Sequence, residues 1–186
     1  MFIRKFLTVF LCVLLVFIIT GCKNSDALTP VNKNWNDYSS LSEKEAEIRK
    51  TADSAVMEKF SLDDLSYFDI EYISHTSTVN YTLMFGKYET EESYNVTFKD
   101  NGGYEVKDAN GGMYSCYLGY VTDEAIEKAE KNLTKQTEEY EQKLIPHFYL
   151  SVDTEGYLCL TNEVIIKSEN DHQHKFLTER ICKKTN

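Results

Sequence analysis

Val79-Asn80-Tyr81-Thr82-Leu83-Met84-Phe85 is the stretch that decides the fold. Val79, Tyr81, Leu83 and Phe85 occupy every second position, with Asn80, Thr82 and Met84 between them. A period of two marks a strand with one face in a core and the other toward water. The same alternation runs on either side of it. Phe68, Ile70 and Tyr72 alternate with Asp69 and Glu71, and Tyr94, Val96 and Phe98 alternate with Asn95, Thr97 and Lys99. Such runs in series predict antiparallel pairing. A turn over residues 89–92 would set Phe85 opposite Val96 and Leu83 opposite Phe98, all on one face. Asp100-Asn101-Gly102-Gly103 predicts the next hairpin, bringing Val106 opposite Phe98 through a three-residue loop or a bulge. Asn110-Gly111-Gly112 then leads into a further alternating run, Tyr114, Cys116 and Leu118.

Helical periods flank these strands. Ser42 followed by Glu45 is a capping box, with Leu41 and Ala46 spaced as a hydrophobic staple. Ile48, Ala52, Ala55, Val56 and Phe60 then form one apolar stripe that ends at Ser61-Leu62-Asp63-Asp64. A second helix opens at Thr122-Asp123-Glu124, keeps a narrow stripe of Ile126, Ala129, Leu133, Tyr140 and Leu144, and stops at Pro146. Phe148, Leu150 and Val152 resume the period of two, Glu155-Gly156 turns, and residues 158–167 and 175–182 predict a last hairpin. If its turn is centred between Asn170 and Asp171, Val164 meets Leu177, Leu160 meets Ile181, and Cys159 meets Cys182. Opposed positions lie within disulfide reach. The expectation is therefore a Cys159–Cys182 bond, contributing about 3 kcal/mol through loop-closure entropy. The class expected is α+β, an antiparallel sheet of about seven to eight strands with two helices packed on one side. That order of elements is similar to the cystatin-like and β-lactamase-inhibitor-like architectures, with no shared motif.

Ahead of the domain, Arg4 and Lys5 precede an apolar run from Phe6 to Ile19, closed by Ile19-Thr20-Gly21-Cys22. The run of about 14 residues is shorter than the roughly 20 a spanning helix needs, and it reads as a signal sequence, residues 1–21. The last four residues resemble the lipobox of bacterial lipoproteins. That resemblance implies cleavage between Gly21 and Cys22, a diacylglyceryl group on Cys22, and a domain held at the membrane on its extracytoplasmic side. Residues 22–40, polar and aperiodic, are expected as a flexible tether with Trp35 and Tyr38 resting on the domain, and residues 41–186 as a single domain.

Without the leader, 18 basic residues face 30 acidic ones, a net charge of −12. Nucleic acid is thereby excluded as a partner, because a phosphate backbone is bound through clustered Lys and Arg. No phosphate-cradling loop, dinucleotide fingerprint or hydrolase elbow is present, and no cofactor is expected. Asp171, His172 and His174 are the candidate metal ligands, since two histidines one residue apart can share a strand face beside a carboxylate. Tyrosine is abundant, 13 in all. Tyr104, Tyr114, Tyr117 and Tyr120 are candidate binding residues, because Tyr offers contact area at little entropic cost. These features favour a protein- or glycan-binding domain. A hydrolase using Cys116 or a His with a carboxylate is the first alternative, and an inhibitor or immunity lipoprotein the second.

Overall fold

A computed structural model describes residues 27–138, 147–168 and 171–184, excepting the side chains of 166–168 and 171–173. Gly21 and Cys22, at the lipobox-like end of the leader, lie outside these. Helix α1 (Glu43–Phe60) precedes β1 (Phe68–Ile73), β2 (Thr78–Phe85), β3 (Tyr88–Phe98) and β4 (Tyr104–Ala109). A single 3-10 turn (Ser115–Tyr117), helix α2 (Asp123–Glu138), β5 (His147–Val152), β6 (Tyr157–Ser168) and β7 (Asp171–Lys183) follow. The fold is α+β. Its seven described strands divide between two antiparallel sheets, β1-β2-β3-β4 and β5-β6-β7, and each sheet takes one helix.

The capping box forms as the sequence predicts. Ser42 Oγ accepts from the Glu45 amide, and Glu45 Oε2 accepts from the Ser42 amide at 3.2 Å. Helix α1 then buries Ala52, Ala55 and Val56 and ends on Ser61 in the left-handed region, φ 53°. It is fixed to the first sheet through Asp53, which is 2 % exposed and accepts from the hydroxyls of Tyr81 at 2.6 Å and Tyr38 at 2.8 Å. Arg49 neutralises that carboxylate from one helical turn away, at 3.4 Å.

The β2–β3 hairpin turns earlier than the spacing predicts. Its loop is Gly86-Lys87, so Phe85 pairs with Tyr88, Tyr81 with Tyr94, and Val79 with Val96. Gly86 at φ 59° supplies the single positive φ that a II′ turn needs at its first central position. Between Thr82↔Ser93 and Met84↔Glu89, Thr90, Glu91 and Glu92 oppose Leu83 alone. This bulge turns Glu92 inward. In the next hairpin Val106 lies opposite Val96 and Tyr104 opposite Phe98, one pair away from the expected register but on the same face.

The run Tyr114, Cys116, Leu118 is not a strand. Glu92, fully buried, accepts from the amides of Tyr114 at 2.8 Å and Ser115 at 2.9 Å, and from the Tyr94 hydroxyl at 2.5 Å. With two successive amides drawn to one carboxylate, the chain coils into the 3-10 turn. Tyr114 and Tyr117, three apart, then both point into the core.

Residues 28–40 also depart from a free tether. Leu28 is 2 % exposed and belongs to the core, and Trp35 packs against it. The Thr29 amide donates to Asp123 at 3.1 Å, the Thr29 hydroxyl reaches the same carboxylate, and the Asn32 amide donates to the Ser66 carbonyl at 2.8 Å. The chain is thus fastened to the domain from Leu28 onward.

Candidate functional site

The second sheet has one covered and one open face. Leu150, Leu158, Leu160, Val164 and Leu177 are buried on the covered face, where α2 lies. There Asn162 donates to the Thr137 hydroxyl at 2.7 Å and Gln136 to Glu179 at 2.5 Å. Strand alternation sends the intervening residues to the other face. The register sets His147 opposite Glu163, Tyr149 opposite Thr161, and Ser151 opposite Cys159. From the far side, Phe176 meets Glu163, Thr178 meets Thr161, and Arg180 meets Cys159.

This open face is polar and aromatic at once. Its middle is a hydroxyl row, Ser151 to Thr161 at 3.1 Å and Thr161 to Thr178 at 3.3 Å, in which Thr161 itself is buried between its neighbours. At one end Glu163 touches Nδ1 of His174, and Phe176 stands 56 % exposed beside them. At the other end Arg180 crosses the ring of Tyr157, 4.1 Å from its centroid, to reach Asp153 at 2.8 Å and Glu155 at 2.7 Å. The Tyr157 amide foremost, then the Glu155 amide and Arg180, hold the Asp153 carboxyl below its usual range. The tight turn after β5 is built on that carboxylate.

The same face continues into a cleft where β5 runs beside the first half of β3. It encloses about 520 Å³ between residues 87–91 and 147–150. Tyr149 shares this edge, its phenol pushed above the ordinary range by burial and then by Glu163 and Glu91. Lys87 bridges to Glu130 at 2.7 Å. Beside that pair the Tyr88 hydroxyl is buried without a hydrogen bond of good geometry, and burial together with the nearby Glu130 carboxylate keeps it protonated far into the alkaline range.

The residues singled out by sequence scatter across the molecule. Tyr114 and Tyr117 are 2 % and 5 % exposed and serve the core, whereas Tyr104 and Tyr120 are 47 % and 40 % exposed. Tyr117 instead ties the 3-10 turn to the β5–β6 turn, its hydroxyl donating to the Gly156 carbonyl at 3.0 Å. The four do not form a binding platform. Of the expected metal ligands, the side chains of Asp171 and His172 lie outside the described residues, and His174 meets Glu163. Among the described residues no three His, Cys, Asp or Glu side chains converge as metal ligands.

The expected Cys159–Cys182 bond is absent, and the register explains why. Ser168 pairs with Asp171 across a two-residue loop, and Ile181 is an extra residue between Leu158↔Cys182 and Cys159↔Arg180. Cys182 therefore shares the face of Leu158 and packs against the core, while Cys159 turns to the open face under Arg180. Cys116, Cys159 and Cys182 are free thiols. Burial first, and the Cys159 and Cys116 thiols after it, push Cys182 up to about 11.

Glu163, Tyr149 and Phe176 are the residues that sequence reasoning missed. The inward alternation of Phe148, Leu150 and Val152 already implied that His147, Tyr149 and Ser151 share the outward face. Alternation about Leu160 and Val164 likewise puts Thr161 and Glu163 on the other face, and only which β5 and β7 residues stand beside them depends on register, which the turn residues left undetermined. Comparison of the chain with protein-family models, with curated proteins and with solved structures returns no match.

Proposed function

We propose that this chain is a lipid-anchored extracytoplasmic binding protein whose open C-terminal sheet face receives a protein or glycan partner. The observation that carries the reading is that face. Phe176 is 56 % exposed and Tyr149 half-buried, beside the hydroxyls of Ser151 and Thr178, which the buried Thr161 links, with His147, Glu163 and Arg180 flanking them. Rigid aromatic area next to fixed donors and acceptors is what recognition surfaces use, and strand positions hold it with little entropy to lose on binding. The anchoring half of the proposal rests on the leader and its lipobox-like end.

Two measurements test the halves separately. Mass analysis of the membrane-extracted chain is expected to show a mature protein beginning at Cys22 with a diacylglyceryl group, and Cys22→Ala to release the domain; an intact leader would refute the anchor. Cross-linking in native membranes is expected to recover one dominant partner, lost in a Tyr149→Ser, Phe176→Ser double variant that keeps its fold. Equal recovery by that variant would refute the face.

A second reading, hydrolysis of an envelope polymer, is favoured by one contact, the Glu163–His174 pair, because a carboxylate can orient an imidazole for base work. Turnover abolished by Glu163→Gln would decide for it.

A further inference from the structure

Three of the chain's four histidines fall at one end of the second sheet: His147 opens β5, and His172 and His174 lie two apart on β7. Glu163 of the central strand stands between these edges. It is directly opposite His147 in one ladder, and its carboxylate touches His174 Nδ1 from the other side. From this placement we propose that His147, Glu163 and His174 form a binding site for a single divalent transition-metal ion of the zinc type.

The donor set fits that ion. Two imidazole nitrogens and one carboxylate oxygen make three ligands of the kind zinc takes in open sites, leaving a fourth position for water or a group from a partner. The backbone spacing fits as well. Directly opposed residues hold their Cβ atoms about 5 Å apart and diagonal neighbours about 7 Å. Imidazoles on β5 and β7 can therefore lean over Glu163 from both sides and meet at metal bonds of about 2 Å. Glu163 and His174 already touch. That contact is too close to hold an ion between its two atoms at metal bonds of about 2 Å, so Glu163 and His174 must part slightly, and the larger movement is that of His147, which stands against Tyr149 with ring centroids 6.0 Å apart. His147 is exposed, so bringing it over is a change of side-chain rotamer, fast and without backbone rearrangement. The exposed fourth position would face the same surface as Phe176. This goes beyond the binding reading and stands without it: an ion held by a chain that captures no partner would keep the site and remove the proposed function.

The test uses the full chain, purified in detergent and stripped of metal. Co²⁺ is titrated while its visible absorption is followed, and Zn²⁺ is then added calorimetrically. The expected result is one ion per chain, the strong visible bands of four-coordinate cobalt, and displacement by one equivalent of zinc. His147→Ala, Glu163→Gln and His174→Ala should each weaken binding by roughly tenfold or more, whereas His75→Ala, in the β1–β2 turn, should leave it unchanged. Circular dichroism of each variant checks that the fold is intact. Three results would overturn the site: no saturation near one equivalent, binding that survives His147→Ala or Glu163→Gln, or a sulfur-to-cobalt charge-transfer band. The second would leave the two β7 histidines acting alone, and the third would assign the ion to the cysteines.

Discussion

Replacing Glu92 by alanine should be among the most damaging single changes in this domain. The side chain is fully buried, and its two oxygens accept from three donors: the Tyr94 hydroxyl and the amides of Tyr114 and Ser115. Alanine orphans all three. A buried donor left without a partner costs about 1–3 kcal/mol, and the one lost methylene removes about 0.8 kcal/mol of burial. Water entering the vacated space offsets part of this, so a loss of about 4 kcal/mol is expected, a large share of a stability of roughly 5–15 kcal/mol. Glutamine should behave differently. Its amide oxygen can keep the two backbone amides while its NH₂ turns to Tyr94, whose hydroxyl then accepts. Only the charge-assisted part of the three bonds is lost, about 1–2 kcal/mol. Urea unfolding followed by fluorescence of Trp35 measures both, with an unchanged slope showing that the same surface is exposed. In thermal melts the alanine variant should fall by about 8–16 °C. An alanine variant within 1 kcal/mol of the parent would refute the assignment of the 113–117 turn to this carboxylate. A glutamine variant as unstable as alanine would show that charge, not the number of acceptors, holds it.

Leu28→Ala should cost about 3 kcal/mol, because a fully buried leucine is truncated against the core; proteolysis of the parent should correspondingly cut before Leu28 and spare residues 28–40, and cleavage within that stretch would contradict its packing. Burial foremost and the Asp53 carboxylate after it push Tyr38 up to about 12, against about 10 in an unfolded chain. The folded state thus favours the protonated phenol, so its contribution is full below pH 10 and is lost as pH rises toward 12; Tyr38→Phe should flatten that part of the stability curve, and an unchanged alkaline limb would sink the assignment. Cys182, pushed up to about 11, and Cys159, buried and also raised, should resist iodoacetamide at pH 8 until denaturant is added. The mass of the native chain should not change on reduction, and a gain of two hydrogens traced by peptide mapping to Cys159 and Cys182 would overturn the observed register of the last hairpin.

Those predictions draw on features of unequal visibility in the sequence. Strand positions were legible because burial on one face leaves a period of two, and Val79, Tyr81, Leu83 and Phe85 are all fully buried as that period requires. The first helix was legible down to its cap, since Ser42 and Glu45 act locally. Register was not, because it turns on single residues whose effect is cumulative. Gly86 closes the β2–β3 hairpin earlier than the polar run at 89–92 suggested, and the Glu92 bulge then absorbs two extra residues. Ile181 does the same near the base of the last hairpin and parts the two cysteines. The tyrosines misled for a related reason: Tyr114 and Tyr117 take their direction from a carboxylate more than 20 positions away. The open face was half legible, its residues from alternation alone, the neighbours of Glu163 only once β5, β6 and β7 were aligned.

The burial of Leu28 sets a length scale for whatever this domain meets. Between Cys22 and Leu28 lie five residues, so the fastened part of the chain can stand at most about 20 Å from Cys22. If Cys22 carries lipid as proposed, the domain would sample a shallow cap above the bilayer and not the roughly 60 Å that a free tether reaching residue 40 would allow. Confinement to so small a volume would give any neighbour resident in the same membrane an effective concentration on the order of millimolar. Contacts that would be too weak to hold two soluble proteins together would then be occupied most of the time, and diffusible partners would gain no such advantage.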